Sequence, residues 1–269
     1  MDIKSAIDGY LKENGIEYYA VLDLAQLCIT KPYLLSRNGI EKGCVIVFLV
    51  PYYSGECENI SRYAAARDYH IFIKKIGDGL SAILSQYGAK AVAFGDHSPI
   101  DERDAAAKGG LGVIGENGLL INEKYGSYVF IGEVIIDMQG EQLGCVPPTR
   151  VEFCERCGMC RAACPKAEIG ECLSALTQKK GEFSEREEAV IRKYGSAWGC
   201  DICSEVCPHN QNPVPTPIDF FHQERTPNLT SDAVLKMKEE AFAERAYSWR
   251  GREVVLRNLE ILESHDTEK

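Results

Sequence analysis

A chain of 269 residues with 45% hydrophobic and 26% charged residues has the composition of a folded globular protein, long enough for a main domain and a smaller module. Thirty Lys and Arg against forty Asp and Glu give a formal charge of −10, so no overall positive field exists to steer a polyanion. The longest apolar run, Cys44 to Val50, is too short to cross a membrane. The opening Met1-Asp2-Ile3-Lys4 also lacks the basic and apolar pattern of an export signal, so a cytoplasmic setting without membrane contact is expected.

The first ~145 residues alternate helical and strand patterns. Ile3, Ala6, Ile7, Tyr10 and Leu11 share one helical face, and Tyr18–Leu24 and Cys44–Val50 predict strands, the second buried on both sides. Tyr69, Ile73, Ile76, Leu80, Ile83 and Tyr87 keep helical spacing and predict one long helix from about Ser61 to Tyr87. A short strand over Ala89–Gly95 leads into Asp96-His97-Ser98-Pro99, and Glu102–Lys108 predicts a helix stopped by Gly109-Gly110. Strands follow at Leu119–Asn122 and Tyr128–Asp137, and Pro147-Pro148 marks a boundary. After the Pro213, Pro215 and Pro217 joint, helices are expected over about Ser231–Tyr247 and Arg252–Glu263, in an acidic tail. The expected division is 1–148, 149–212 and 213–269.

Twelve cysteines are the outlier, and eight of them fall in a pattern. Cys154, Cys157, Cys160 and Cys164-Pro165 have the C-x2-C-x2-C-x3-C-P spacing of bacterial two-cluster ferredoxins. In that arrangement three thiolates bind one iron–sulfur cubane and the fourth binds the other. Cys200, Cys203 and Cys207-Pro208 repeat the ending with one cysteine missing, which Cys172 replaces. Two 4Fe–4S clusters then close the count: Cys154, Cys157, Cys160 and Cys207 for one, Cys164, Cys172, Cys200 and Cys203 for the other. A zinc site drawn from Cys157, Cys160, Cys200 and Cys203 would leave Cys154, Cys164 and Cys207 without a role. Cys28, Cys44, Cys57 and Cys145 are scattered and read as ordinary buried thiols. Arg156, Arg161 and Lys166 stand where they can offset cluster charge.

Gly110-Leu-Gly112-Val-Ile-Gly115 matches a dinucleotide fingerprint, but a helix precedes it and a strand follows. The order is reversed, so a turn or a close backbone approach is expected instead.

Four further stretches carry a family resemblance: Ile60-Ser-Arg-Tyr-Ala-Ala-Ala-Arg-Asp-Tyr-His70, Asp96-His-Ser-Pro-Ile-Asp-Glu-Arg103, Lys108-Gly-Gly-Leu-Gly-Val-Ile-Gly115 and Gly126-Ser-Tyr-Val-Phe-Ile-Gly-Glu133. Together with the cysteine module, including Cys172-Leu-Ser-Ala-Leu-Thr177, they make the chain resemble the epoxyqueuosine reductases over roughly residues 40–212. The resemblance implies an α/β (α+β) fold: a nitroreductase-like mixed sheet with helices, a two-cluster ferredoxin-like module and a short C-terminal helical tail. It further implies an oxidoreductase in which the clusters pass electrons to a bound cobalamin, which carries the hard chemistry. By position, Asp96 is the proton donor and lies at the corrinoid. Ser61, Leu120 and Ile131 are the other corrinoid contacts, the last two through backbone atoms. The apolar strand before Asp96 predicts partial burial of its carboxyl group.

The chain departs from the family where Asn38–Lys42 passes directly into the Cys44 strand, and at Glu116-Asn117, where Lys-His is usual. The resemblance implies tRNA as a partner, which neither the acidic balance nor the short helical tail supports, so a smaller substrate is the other option. An external low-potential electron donor is expected. Two readings stay open beside the reductase: an electron-transfer or corrinoid-activating protein without substrate chemistry of its own, and a redox-sensing regulatory protein. Flavin is the lesser option in place of cobalamin.

Overall fold

The computed structural model describes residues 2–266. Its mixed α/β fold is the expected class. The residues group into two compact units: Met1–Pro51 with His70–Cys157 and Asn212–Ile218, and Tyr52–Tyr69 with Gly158–Gln211 and Asp219–Lys269. This grouping cuts across the three successive segments drawn from the sequence, because Tyr52–Tyr69 and the tail belong with the cysteine-rich residues.

The first unit is built on an antiparallel sheet of β1 (Tyr19–Asp23), β2 (Cys44–Pro51), β3 (Ala91–Phe94) and β6 (Val129–Ile136), in the order β1-β2-β6-β3. A small hairpin of β4 (Val113–Ile114) and β5 (Leu120–Ile121) completes it. All eight residues of β2 are buried, as its unbroken apolar run requires of a strand covered on both faces. On one face Val45, Val47, Leu49, Ile131 and Ile135 pack with Ala105 and Ala106 of the helix Glu102–Lys108. The helix Tyr69–Ser85 approaches so closely that a Cβ on Gly77 would lie 2.1 Å from the Ala93 Cβ. The N-terminal helix Ile3–Glu13 is capped by the Asp2 carboxylate on the Ser5 N–H, and its Tyr10 hydroxyl donates to the Lys75 carbonyl at 3.1 Å.

The second unit consists mainly of helices of four to six residues, among them Met159–Ala163, Lys166–Ile169, Leu173–Thr177 and Ile202–Glu205. Helices this short do not hold themselves together in water. Two longer ones, Glu185–Tyr194 and Arg252–Asp266, give them a frame. One core gathers Trp198, Tyr247, Phe242 and Leu259, and another Leu173, Leu176 and Ile191. Asn258, fully buried, donates to the Thr177 and Ala197 carbonyls at 2.7 and 2.8 Å and so ties the last helix to the cysteine-bearing loops.

Two predicted helices are broken. The stretch Ser61–Tyr87 divides into Arg62–Ala65 and Tyr69–Ser85, because Ala66 turns extended and Arg67 bridges to Arg245, with the Asp68 N–H on the Glu244 carbonyl at 2.7 Å. The stretch Ser231–Tyr247 divides into Ser231–Lys236 and Glu239–Ala243 around an extended Met237.

Candidate functional site

Asp96 follows β3 after Gly95 and has φ +55°, a conformation that non-glycine residues rarely adopt. Its carboxylate is not partly buried as expected: the side chain is 58% exposed, with Oδ2 3.5 Å from Nε2 of His70. The turn sends the carboxylate outward, whereas Ser98, two residues on, goes inward. Ser98 is 2% exposed, donates its hydroxyl to Glu133 and accepts the Ile100 N–H at 3.2 Å. Behind the turn the Pro99 carbonyl accepts the Thr30 and Lys31 N–H groups at 2.8 and 3.1 Å. The His97 ring faces the Tyr33 hydroxyl at 3.1 Å and Lys31 Nζ at 3.3 Å, so it serves the outer wall of the turn.

The sheet opens where this turn leaves it. Strand β3 runs beside only the Glu133–Ile136 half of β6, ending with Phe94 opposite Glu133, whereas β2 flanks β6 from Val129 onward. Had β3 continued, Asp96 would stand opposite Ile131. The Leu49 N–H bonds to the Tyr18 carbonyl, away from β6. In an antiparallel pair both members then turn their backbone groups outward, so Ile131, paired with Leu49, points its N–H and C=O at the edge that β3 leaves uncovered. The same reasoning applies to Leu120. Its partner Ile114 spends its N–H on the Glu152 carbonyl and its carbonyl on the Cys154 N–H, so the Leu120 backbone groups turn away from β4. Leu120 and Ile131 share one apolar cluster. The geometry therefore brings the Asp96 turn and the Ile131 backbone to one sheet edge.

Two carboxylic acids lie beneath the turn. Glu133 is fully buried, and burial, reinforced by Glu102 and Asp101, pushes it up to about 8 against the opposing effects of the Ser98 hydrogen bond and Lys31. Glu102 is pushed up to about 7, first by burial and then by the negative charge of Asp96, while Arg103 and a hydrogen bond from the Asp96 backbone N–H act the other way. Both escaped the sequence reading. The signal was present for Glu133, a charged residue within the apolar run Val129–Ile136 and on the same strand face as Ile131 and Ile135.

The cysteines divide between the two units. In the first, the Cys154 sulfur accepts the Glu116 N–H at 3.3 Å, and Cys154 is held to the hairpin by its own N–H on Ile114. The departure at Glu116-Asn117 thus forms the turn beside this thiol. In the second unit burial raises Cys203, and the charges of Cys164, Cys172 and Cys160 raise it further. Cys200 is pushed up to about 12 by burial and by Cys203, Asp201 and Cys172. Thiols that oppose one another's ionisation fit a cationic iron–sulfur core, which would relieve that repulsion. Among the described residues no three His, Cys, Asp or Glu side chains converge as they would on a single metal ion. Of the four remaining cysteines only Cys44 is buried as expected; Cys28 is exposed, and Cys57 and Cys145 are intermediate.

Ser61 lies in the second unit, where its hydroxyl donates to Asp201 Oδ1 at 2.6 Å, next to Cys200. Asp201 also accepts the Arg62 N–H at 2.7 Å, and the Arg62 guanidinium reaches Asp201, Glu205 and Glu56. Ser61, Arg62, Asp201 and Glu205 line a cleft together with Cys57, Tyr194 and Cys200. The glycine motif does what its reversed order implied: Gly110 has φ +72°, and a Cβ on Gly112 would lie 2.4 Å from the Ile121 carbonyl oxygen.

No protein-family model matches the chain. It is 32% identical over 227 residues to the epoxyqueuosine reductase of Lactococcus garvieae, covering 75% of this chain and 60% of that protein. It is 34% identical over 220 residues to the Pseudomonas aeruginosa epoxyqueuosine reductase, covering 75% and 59%. The chain is similar to the epoxyqueuosine reductases over three quarters of its own length. It spans about 60% of the length of these relatives. The fold agrees with the family. An epoxyqueuosine reductase crystallised with an epoxyqueuosine-modified tRNA-Tyr stem loop superposes with a TM-score of 0.77 at 21% identity, over 98% of this chain and 81% of that one. The Streptococcus thermophilus epoxyqueuosine reductase superposes with 0.74 at 24% identity, over 97% and 81%. No described helix is long and apolar enough to cross a membrane.

Proposed function

We propose that the chain is a reductase of the epoxyqueuosine reductase type, with two 4Fe–4S clusters, a corrinoid seated at the sheet edge beside Asp96, and Asp96 as proton donor. The observation that carries this reading is the uncovered edge of β6, where the Ile131 backbone groups and the Asp96 turn meet on one strand register. A corrinoid rim carries amide groups, which match backbone N–H and C=O groups that are turned away from their own ladders. When bound, it supplies a strongly reducing, nucleophilic cobalt centre.

The chain's own residues do the remainder. Ile131 and Leu120 present backbone donors and acceptors within an apolar wall, which orients a ligand and excludes water. The Asp96 carboxyl, held outward by the inward anchoring of Ser98, gives up a proton to the reacting group. His70, with Nε2 3.5 Å from Oδ2, stands beside the carboxyl group to replace that proton. Cys154, Cys157, Cys160 and Cys207 are the ligand set of one cluster, and Cys164, Cys172, Cys200 and Cys203 that of the other. Ser61 belongs to the hydrogen-bonded surroundings of the second, through Asp201. The electron donor is external and of low potential.

For the substrate, the name shared by the relatives favours epoxyqueuosine, and one structural neighbour was solved with a modified tRNA stem loop. The test begins with oxygen-free protein supplied with cobalamin, assayed for iron, sulfide, cobalt and EPR signals, then for conversion of an epoxyqueuosine-containing stem loop and of the free nucleoside. Retained corrinoid and turnover of either substrate support the proposal. Cluster signals with no retained corrinoid favour the electron-carrier reading, and a zinc-loaded, sulfide-free sample overturns the cluster assignment. Asp96→Asn is expected to lower turnover about 10²- to 10⁴-fold with both clusters and the corrinoid retained. Full activity of that variant removes Asp96 from its role.

A further inference from the structure

Behind the Asp96 turn the structure holds polar atoms that the fold itself does not need. Glu133 lies in the middle of β6, between Val47 of β2 and Phe94 of β3, where an apolar residue would complete the cluster of Ile131 and Ile135. One of its carboxyl oxygens holds the Ser98 hydroxyl, while the other, Oε1, is buried without a hydrogen-bond partner. Glu102 opens the helix that covers this face; its Oε2 is likewise buried and unpartnered, and its carboxyl faces the Asp96 backbone N–H. Two carboxyl groups, each with a buried and idle oxygen, are costly to keep, and the fold offers no return for them in packing. Their contacts converge on residues 96 and 98 of one strained turn.

We infer that Glu102 and Glu133 are positioning residues for Asp96, a two-point clamp that grips the turn from below at the Asp96 N–H and the Ser98 hydroxyl, and that the clamp holds while the pair retains a proton and loosens when both carboxyl groups ionise. This rests on the reading of Asp96 as the proton donor. The reason is electrostatic. Glu102 from its helix and Glu133 from β6 face each other's charge together with Asp96 and Asp101. Against these four carboxyl groups the surroundings offer Lys31 near Glu133, Arg103 near Glu102, and His70 at the exposed side of Asp96. Burial favours the protonated form of each, and full ionisation of both sets like charges against one another beneath the turn. The proton on the pair is therefore a condition for a seated Asp96, and the clamp gives the reaction an alkaline limit of its own.

The test uses the full chain loaded with clusters and corrinoid. Amide hydrogen exchange of residues 95–100, corrected for the intrinsic pH dependence, is followed from pH 6 to pH 9 in the wild type, Glu133→Gln, Glu102→Gln and Ser98→Ala. The wild type is expected to lose protection of this turn as pH rises through 7 to 8. Glu133→Gln keeps the shape without the charge and holds its protection to pH 9, whereas Ser98→Ala is less protected throughout. In steady state Glu102→Gln weakens the grip on the Asp96 N–H and lowers kcat and kcat/KM together, by about 10- to 100-fold, with KM unchanged. Turn protection that is independent of pH in the wild type, or equal in wild type and Ser98→Ala, overturns the clamp. A rise in KM alone overturns the positioning role of Glu102. Exchange needs no turnover, so it judges the clamp even where an active Asp96→Asn has already removed Asp96 as donor.

Discussion

The two units of this chain are stabilised in different ways. The first rests on a four-stranded sheet whose central strands are buried and whose faces are covered by helices, so its core is continuous and apolar. It can therefore shelter two carboxylic acids under the Asp96 turn. The second has short helices joined by loops, and it depends on anchors: Asn258 across two carbonyls, Arg62 among three carboxylates, and six of the eight patterned cysteines. A sheet supplies its own framework, whereas a module of short helices and loops depends on its anchors, and the proposed clusters would be the strongest of them.

The largest expected effect tests that contrast. Anaerobic removal of iron by a chelator should abolish amide protection in residues 158–211 while β2 and β6 stay protected. Equal loss in both units would show that the sheet also depends on the clusters. Cys203→Ser is the finer form: about half of the iron should be lost, with the first unit unaffected.

The next effect probes the sheet's buried acid. A carboxyl group whose pKa is raised to about 8 on folding binds more protons folded than unfolded between its ordinary value of 4.5 and 8. Stability should therefore fall as pH rises through that window and level off above it. Glu133→Gln removes this slope and should raise stability at pH 7 by up to about 3 kcal/mol. Parallel stability–pH curves for the two proteins, measured by urea unfolding, would contradict the burial of an ionisable Glu133.

In the second unit, Asn258→Ala leaves two buried carbonyls without their donor and should cost about 2 kcal/mol by the same measurement. The smallest effect concerns the capping box of the helix Glu185–Tyr194, where Ser184 and Glu187 satisfy each other's N–H groups and Glu187 is held down to about 2, chiefly by Lys179. Ser184→Ala should cost about 1 kcal/mol, because the cap is exposed and water replaces part of it.

The strands of the sheet, the helix Glu102–Lys108 and the cysteine pattern were legible in the sequence, since each is a local rule of spacing. The break at Ala66–Asp68 was not, because the apolar period runs through it. The extended backbone there is stabilised by Glu244 and Arg245, nearly 180 positions away. Around Asp96 the residue was legible and its surroundings were not. The short strand before it suggested burial, yet the register ends β3 at Phe94 and turns the carboxylate outward, sending Ser98 in to Glu133 instead.

By itself the sequence determined what a repeating pattern can encode: which segments alternate, which thiols share a motif, and which aspartate ends the third strand. The tertiary structure alone decided which backbone groups stay free at the edge of β6, which carboxyl groups lose contact with water, and which distant segments fold into one unit. Those properties depend on register and on exclusion of solvent, and both are set by partners far along the chain.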